Sequence, residues 1–406
     1  MAKSEAIYRN IASIEPLLPD EGGNELADLS VEIFRKSGEL EASLPARVVR
    51  LEVAKLVCEM NSYYSNLIEG HKTLPRDIEK ALKEDFSDQE EDRRNQRLSV
   101  AHIRTEMAMR RRLAEEPDID VFSTDFIYWL HREFYSAVPE EDWFTTSHSG
   151  KRFPLEPGRP RNHNVDVGRH TPPDYTSLDR FLDRFHSFYS SGKIPATNKL
   201  VAVAAAHHRL AWIHPFGDGN GRVARLQSQA AMVRAGLDSQ GLWTLSRGLA
   251  RAKPTYYQLL QAADNKRAND FDGRGNLSEK ALSQFCIFFL EQTLDQIKFM
   301  LGLIEPFKLQ DRIERYFQFA RGDLGGRLRG LLARLIKALC MQGEIPRGAV
   351  PDILGLKGTA TREVIRKALE EGLVLTSSEK GPLRIAFPNK VVEYYFPLLF
   401  TDQPVV

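Results

Sequence analysis

At 406 residues, with 42% hydrophobic and 27% charged side chains, the chain is long enough to bury a sizeable core and fits a soluble globular protein of two or three domains. Its 56 basic and 55 acidic side chains leave a net charge of +1, so no global field points to nucleic acid or to an anionic membrane surface. Cys58, Cys286 and Cys340 are odd in number and far apart, which excludes a disulfide framework and a zinc-ligand spacing and points to a reducing compartment. The N-terminal residues lack a signal-peptide apolar run and no stretch approaches the length of a membrane span; no membrane partner and a cytoplasmic location are expected.

Pro16, Pro19 and Gly22-Gly23 are loop signals near the start. Helical patterns follow at about 26–40 and, more strongly, at 46–68, where Val49, Val53, Leu56, Val57, Met60 and Tyr64 recur at three- and four-residue steps before Gly70. Thr73-Leu74-Pro75 starts another helix. The charged run 85–97 reads as a solvated helix or loop, and the next helix covers about 98–114. Beyond Pro117, Ser123 or Thr124 caps a helix bearing Phe126, Trp129, Leu130, Phe134 and Tyr135. Residues 138–173 are rich in proline and glycine, the mark of a functional or disordered loop, and the alternation at Val165 and Val167 suggests a small hairpin within it.

Helices resume at about 177–189, 197–213, 223–235, 254–265 and 279–304. Asp272-Gly-Arg-Gly-Asn276 resembles a phosphate loop, but turn chemistry ahead of a helix capped by Ser278 explains it as well. From about 307 three short helical patterns precede a helix at 361–371 and two short strands at 372–376 and 383–387. Helix-turn-helix followed by a hairpin is the order of a winged-helix module.

The densest chemistry is His214-Pro-Phe-Gly-Asp-Gly-Asn-Gly-Arg-Val-Ala-Arg225, a mixture no packing requirement explains. If the chain turns there and enters a helix near Arg222, the helix N-terminus offers N–H groups to an anion. Gly217, Gly219 and Gly221 allow positive φ and close approach to a phosphate. Arg222 and Arg225 share a helix face and reach one polyphosphate. Asp218 is a hard oxygen ligand suited to Mg2+, and His214 is the natural general base for an attacking hydroxyl. Gly219-x-Gly221-x-x-Ala224 formally matches a dinucleotide fingerprint, but a helical pattern precedes it where that fingerprint needs a strand. No Walker A sequence occurs, and the His207-His208 pair reads as structural rather than metal-binding.

These twelve residues resemble the signature of the Fic family without departure, and the similarity extends from about residue 40 to about 300. The resemblance implies a mainly α fold: a Fic-type helical bundle with a small β-hairpin flap, plus a C-terminal winged-helix α+β domain. Residues 1–115 would form an N-terminal helical region with an inhibitory helix, 116–305 the catalytic domain, and 306–406 the winged helix. The implied activity is transfer of AMP from ATP to a Tyr, Ser or Thr hydroxyl of a target protein or of the chain itself. His214 would act as base and Asp218 would hold Mg2+. Gly217, Gly219 and Gly221 would cradle phosphates, Asn220 and Arg222 would assist, and Arg225 would meet the γ-phosphate. Gly219-Asn220-Gly221 lacks the lysine of relatives that phosphorylate.

Ser65-Asn-Leu-Ile-Glu69-Gly70 resembles the family's inhibitory motif, in which the glutamate, here Glu69, pairs with the second arginine, here Arg225. The reverse reaction, removal of AMP with Glu69 positioning water, stays open. The 157–173 segment resembles the family's flap, on which a target segment would dock by strand addition. Tyr257 lies where the family lines its adenine pocket and is equally open to a core-packing reading. A homodimer and DNA binding through the C-terminal module, whose helix carries Arg362, Arg366 and Lys367 diluted by Glu363, Glu370 and Glu371, are left open as further partners.

Overall fold

A computed structural model describes residues 8–20, 23–44, 46–146 and 152–401; Gly22 of the expected loop pair and residues 147–151 of the long proline-rich segment lie outside them. α1 (Gly23–Ser43) and α2 (Arg47–Ile68) bury the predicted apolar stripes, α2 through Val49, Val53, Leu56, Val57, Met60 and Tyr64. Gly70, at φ +92°, ends α2 in the left-handed cap that glycine adopts without strain, with His71 N–H donating back to the Asn66 carbonyl. Proline at the first position starts α3 (Pro75–Leu82) as expected.

α4 (Glu90–Glu115) starts earlier than the sequence pattern suggested. The charged run supplies its first turns, where Glu90, Glu91 and Asp92 complement the helix dipole. Ser123 caps α5 (Thr124–Ser136), its hydroxyl accepting the Phe126 N–H.

The long segment after α5 differs from expectation. Its hairpin is β1 (Phe144–Thr146) paired antiparallel with β2 (Arg152–Pro154), with Phe144 opposite Pro154. At 165–170, where a hairpin was expected, a tight turn is closed by the single bridge Val167–His170. Asn164 and Asp166 accept local bonds from Tyr175 N–H and the Thr171 hydroxyl, and Pro172-Pro173 offer no N–H, so no ladder propagates.

α6 (Leu178–Tyr189) leads to α7 (Lys199–Ile213) and α8 (Asn220–Arg234), which are buried around nearly their whole circumference and form the centre of the molecule. The motif loop is the connection between these two central helices. α9 (Ser246–Arg251), α10 (Lys253–Ala263) and α11 (Glu279–Leu303), the last capped by Ser278, pack around them. Asp272 accepts Ala268 N–H, Lys280 N–H and the Ser278 hydroxyl, so the 272–276 stretch is a turn.

α12 (Pro306–Arg315) ends in one π turn at Tyr316–Ala320, and a short loop leads to α13 (Gly326–Gln342). β3 (Glu344–Ile345), α14 (Val350–Leu354), α15 (Thr359–Glu370), β4 (Val374–Leu375) and β5 (Leu383–Ile385) follow, with sheet order β3-β5-β4, all antiparallel. The helices and the two later strands stand where the sequence placed them; β3, two residues long, has no legible pattern. Ile345, Val374, Leu383 and Ile385 face inward while Leu375 and Arg384 face out, the alternation a one-sided sheet requires.

After α16 (Asn389–Tyr395) the chain returns to α2. The Tyr64 hydroxyl lies 3.1 Å from the Leu399 carbonyl and 3.0 Å from that of Thr401, and accepts the Thr401 N–H at 2.8 Å. The main apolar core takes in residues from Ile14 to Leu399, and a second, smaller cluster gathers Leu98, Ala101, Phe134, Tyr135, Val138 and Leu155. No described helix is long and apolar enough to cross a membrane.

Candidate active site

α7 ends in a residue that is costly to place. His214 has φ +50° and ψ +61°, a left-handed conformation that strains any side chain bearing a Cβ. Its backbone is fixed from both sides: N–H donates to the Leu210 carbonyl at 3.1 Å, and its carbonyl accepts Arg161 Nε at 2.9 Å. The imidazole is held neutral, its pKa lowered to about 4 by burial and then by the positive potential of His170 and Arg161, partly offset by a hydrogen bond to Ala211. A neutral ring is the form able to accept a proton.

The turn after His214 is closed by Asn220. Its Oδ1 accepts Phe216 N–H at 2.9 Å and its Nδ2 donates to the Phe216 carbonyl at 2.8 Å. The side chain assigned from resemblance to a ligand role therefore shapes the loop. The three glycines also separate. Gly219 alone has positive φ, +80°, as the residue preceding α8, which begins at Asn220 rather than near Arg222. At Gly221 space is decisive: a Cβ there would stand 2.2 Å from Glu69 Oε1. At Gly217 it would meet only ordinary contacts.

Asp218 receives three donors. Gly219 N–H reaches Oδ1 at 2.6 Å, while the Tyr135 hydroxyl at 2.8 Å and Arg222 Nη2 at 3.1 Å reach Oδ2. Burial alone would raise its pKa, but the Arg222 charge and these hydrogen bonds outweigh it and hold the carboxylate at about 2. Its side chain is still 43% exposed and accessible to a cation. Arg222 is almost wholly buried, and its Nε and Nη1 have no hydrogen-bond partner among the described residues. Two orphaned guanidinium donors beside a helix N-terminus are what an anionic ligand satisfies.

Arg225, one turn further along α8, is engaged by α2. Its Nε donates to Ser65 Oγ at 2.9 Å; its Nη2 donates to the Ser65 carbonyl at 2.9 Å and to Glu69 Oε1 at 2.7 Å. Burial works against the Glu69 charge, but Arg225 and Arg222 outweigh it and keep the carboxylate ionised. The two residues read as an inhibitory pair thus meet Arg225, and the Glu69 carboxylate lies against the first turn of α8.

Arg161, which sequence reasoning missed, ties the 157–173 segment to the base. Besides the His214 carbonyl its guanidinium reaches the carbonyls of His163 and Pro173, at either end of the turn, and its own N–H donates to the Pro215 carbonyl. His131 and Tyr135, also missed, touch Asp218; in the sequence they look like members of an apolar helix stripe.

Tyr257 is 43% exposed and donates to the Ile68 carbonyl at 3.1 Å, at the end of α2, which sets aside the core reading for it. Tyr256 and the Trp243–Leu249 stretch are the buried ones. His207 lies between Ser228 Oγ and Tyr256 Oη, and His208 between Arg209 Nη1 and the Leu260 carbonyl. No cluster of three or more metal-ligating side chains occurs among the described residues. Mg2+ usually relies on one or two carboxylates plus substrate phosphates, so Asp218 beside an anion cradle fits a cation carried by a nucleotide.

Residues 121–231 match the sequence model of the Fic/DOC family. Over 87 residues the chain is 39% identical to "Protein adenylyltransferase Fic" from Nematostella vectensis, covering 21% of this chain and 20% of that protein. Over 83 residues it is 40% identical to the protein of the same name from Drosophila erecta, covering 20% and 17%. The chain thus spans about a fifth of the length of the curated relatives it matches. Its fold is similar to the crystal structure of a Fic family protein from Desulfovibrio desulfuricans G20, with a TM-score of 0.53 at 16% identity over 92% of this chain and 99% of that one.

Proposed function

With residues 121–231 belonging to the Fic/DOC family, we propose that this chain is an autoinhibited protein adenylyltransferase, transferring AMP from ATP to a hydroxyl side chain of a target protein or of itself. The similarity to proteins named protein adenylyltransferase supports the reaction class. His214 takes the proton of the target hydroxyl, its oxygen bonds to the α-phosphorus of ATP, and the bond to pyrophosphate breaks. The first-turn amides of α8 and the orphaned donors of Arg222 hold the phosphates where negative charge develops. Asp218 would hold Mg2+, whose charge, when bound, offsets that of the departing pyrophosphate. The exposed turn at 166–169 gives an extended target segment a place to dock beside the base.

The observation that carries the reading is the seat of Glu69, whose carboxylate bonds Arg225 and lies against Gly221, where the phosphates would be held. An anion already at that cradle repels a second one and occupies the arginine the γ-phosphate needs. In cell extract with labelled ATP, Glu69→Gly should raise AMP transfer well above wild type, and His214→Ala in that background should abolish it. Mass spectrometry of the labelled proteins then identifies the target and the modified residue. Equal labelling by wild type and Glu69→Gly contradicts inhibition by Glu69.

DNA binding gains no support from α15, because Arg366 pairs with Glu370 and Lys367 with Glu371.

A further inference from the structure

Two buried side chains of α5, one turn apart, hold opposite ends of Asp218. The Tyr135 hydroxyl donates to carboxylate oxygen Oδ2 at 2.8 Å, and His131 Nε2 lies 3.2 Å from the Asp218 main-chain carbonyl. The protonation of His131 follows from its partners. Gly158 N–H, which can only donate, points at Nδ1 at 2.8 Å, so Nδ1 accepts and the ring proton sits on Nε2, facing the Asp218 carbonyl. The ring is stacked on Phe216 of the motif loop, centroids 3.9 Å apart and planes 11° from parallel.

Close approach makes both contacts available. A Cβ at Gly158 would stand 2.8 Å from Arg132 Cβ, and one at Gly219 would stand 3.0 Å from Tyr135 Cε2. Both glycines also have positive φ, +75° and +80°. The backbones of the 157–173 root and of the Asp218 turn are therefore both pressed onto the face of α5 that carries His131 and Tyr135.

We propose that His131 and Tyr135 are positioning residues that set the carboxylate of Asp218 for a divalent cation, His131 fixing its main chain against the root of the 157–173 segment and Tyr135 fixing its Oδ2. The inference rests on the reading of Asp218 as the cation's ligand. Without the hydroxyl of Tyr135, Oδ2 keeps only Arg222 and the carboxylate is free to rotate toward that guanidinium. Without the Nε2 donor, the Asp218 carbonyl loses its link to the 157–173 root. Outer partners of this kind typically change metal affinity by about 10- to 100-fold.

The test measures calorimetric affinity for an ATP analogue with a methylene α,β bridge, with Mg2+ and with EDTA, in the full chain carrying Glu69→Gly. The ratio of the two affinities isolates what the metal adds. Tyr135→Phe should shrink that ratio by about tenfold or more while the EDTA affinity stays within about twofold. At position 131, Gln places an amide N–H near the site of Nε2 and Asn places its amide near that of Nδ1. His131→Gln should therefore retain most of the metal ratio and His131→Asn should lose it.

Equal loss in EDTA and in Mg2+ for Tyr135→Phe would mean a merely structural role and overturns the proposal, as does a Gln variant no better than Asn. Should the Glu69→Gly background itself show no gain from Mg2+, the reading of Asp218 as a ligand fails, and the proposal with it. That outcome differs from a normal gain left unchanged by the variants, which refutes the positioning role alone.

Discussion

His214 combines a strained backbone with a depressed pKa, and the second has a measurable consequence. Burial, with His170 and Arg161 nearby, favours the neutral ring down to about pH 4, against an ordinary value near 6.5. Because the folded pKa lies below the unfolded one, the fold's preference for the neutral form is fully present above about pH 6.5 and is lost as pH falls toward 4. An NMR titration of the ligand-free chain should place the His214 midpoint near 4, and a midpoint near 6.5 would contradict the burial argument. His214, Asp218, Arg222 and Arg225 were legible because their spacing is local and their chemistry has no packing explanation. Asn220 was legible as a site residue, but its loop-closing bonds to Phe216 depend on the turn's shape. Tyr135 and His131 could not be read as site residues, since they stand 83 and 87 positions before Asp218 and only the fold brings them to it.

At the scale of elements, the C-terminal end of α2 carries the contacts on which the proposed inhibition rests. Ser65 and Glu69 are four residues apart on one face, and both end on Arg225. A hydrogen bond to a charged group contributes about 1.5–3 kcal/mol, so losing the Ser65 hydroxyl should weaken the seat without emptying it. Ser65→Ala is expected to raise the initial rate of AMP transfer by roughly tenfold, less than Glu69→Gly does; a rate unchanged from wild type would remove Ser65 from the inhibitory device. The helices themselves were readable from their apolar period and from Gly70, Pro75, Ser123 and Ser278. The pairing of 144–146 with 152–154 was not, because strands of three residues carry too little alternation, and the Val165/Val167 alternation ends in a single bridge because local side-chain bonds and prolines stop the ladder.

The whole molecule places its C-terminal segment on α2. Tyr64, next to Ser65, is bonded by Leu399 and Thr401, and Arg247 reaches the Leu398 carbonyl at 2.9 Å while lying 3.6 Å over the Phe299 ring. Nothing in the local sequence announces this, since Tyr64 and Leu399 are 335 positions apart. Tyr64→Phe strips the tail of its contact with that hydroxyl and should loosen the α2 seat, raising AMP transfer severalfold at little change in fold; unaltered transfer would confine the contact to stability. The central claim is that a complete transfer site is held off by Glu69, and parallel self-labelling with ATP carrying the label on the α- or the γ-phosphate tests it most directly. Glu69→Gly should incorporate α-label and no γ-label, with wild type far lower and Glu69→Gly/His214→Ala blank. Incorporation of γ-label, or no α-label in Glu69→Gly, would contradict it.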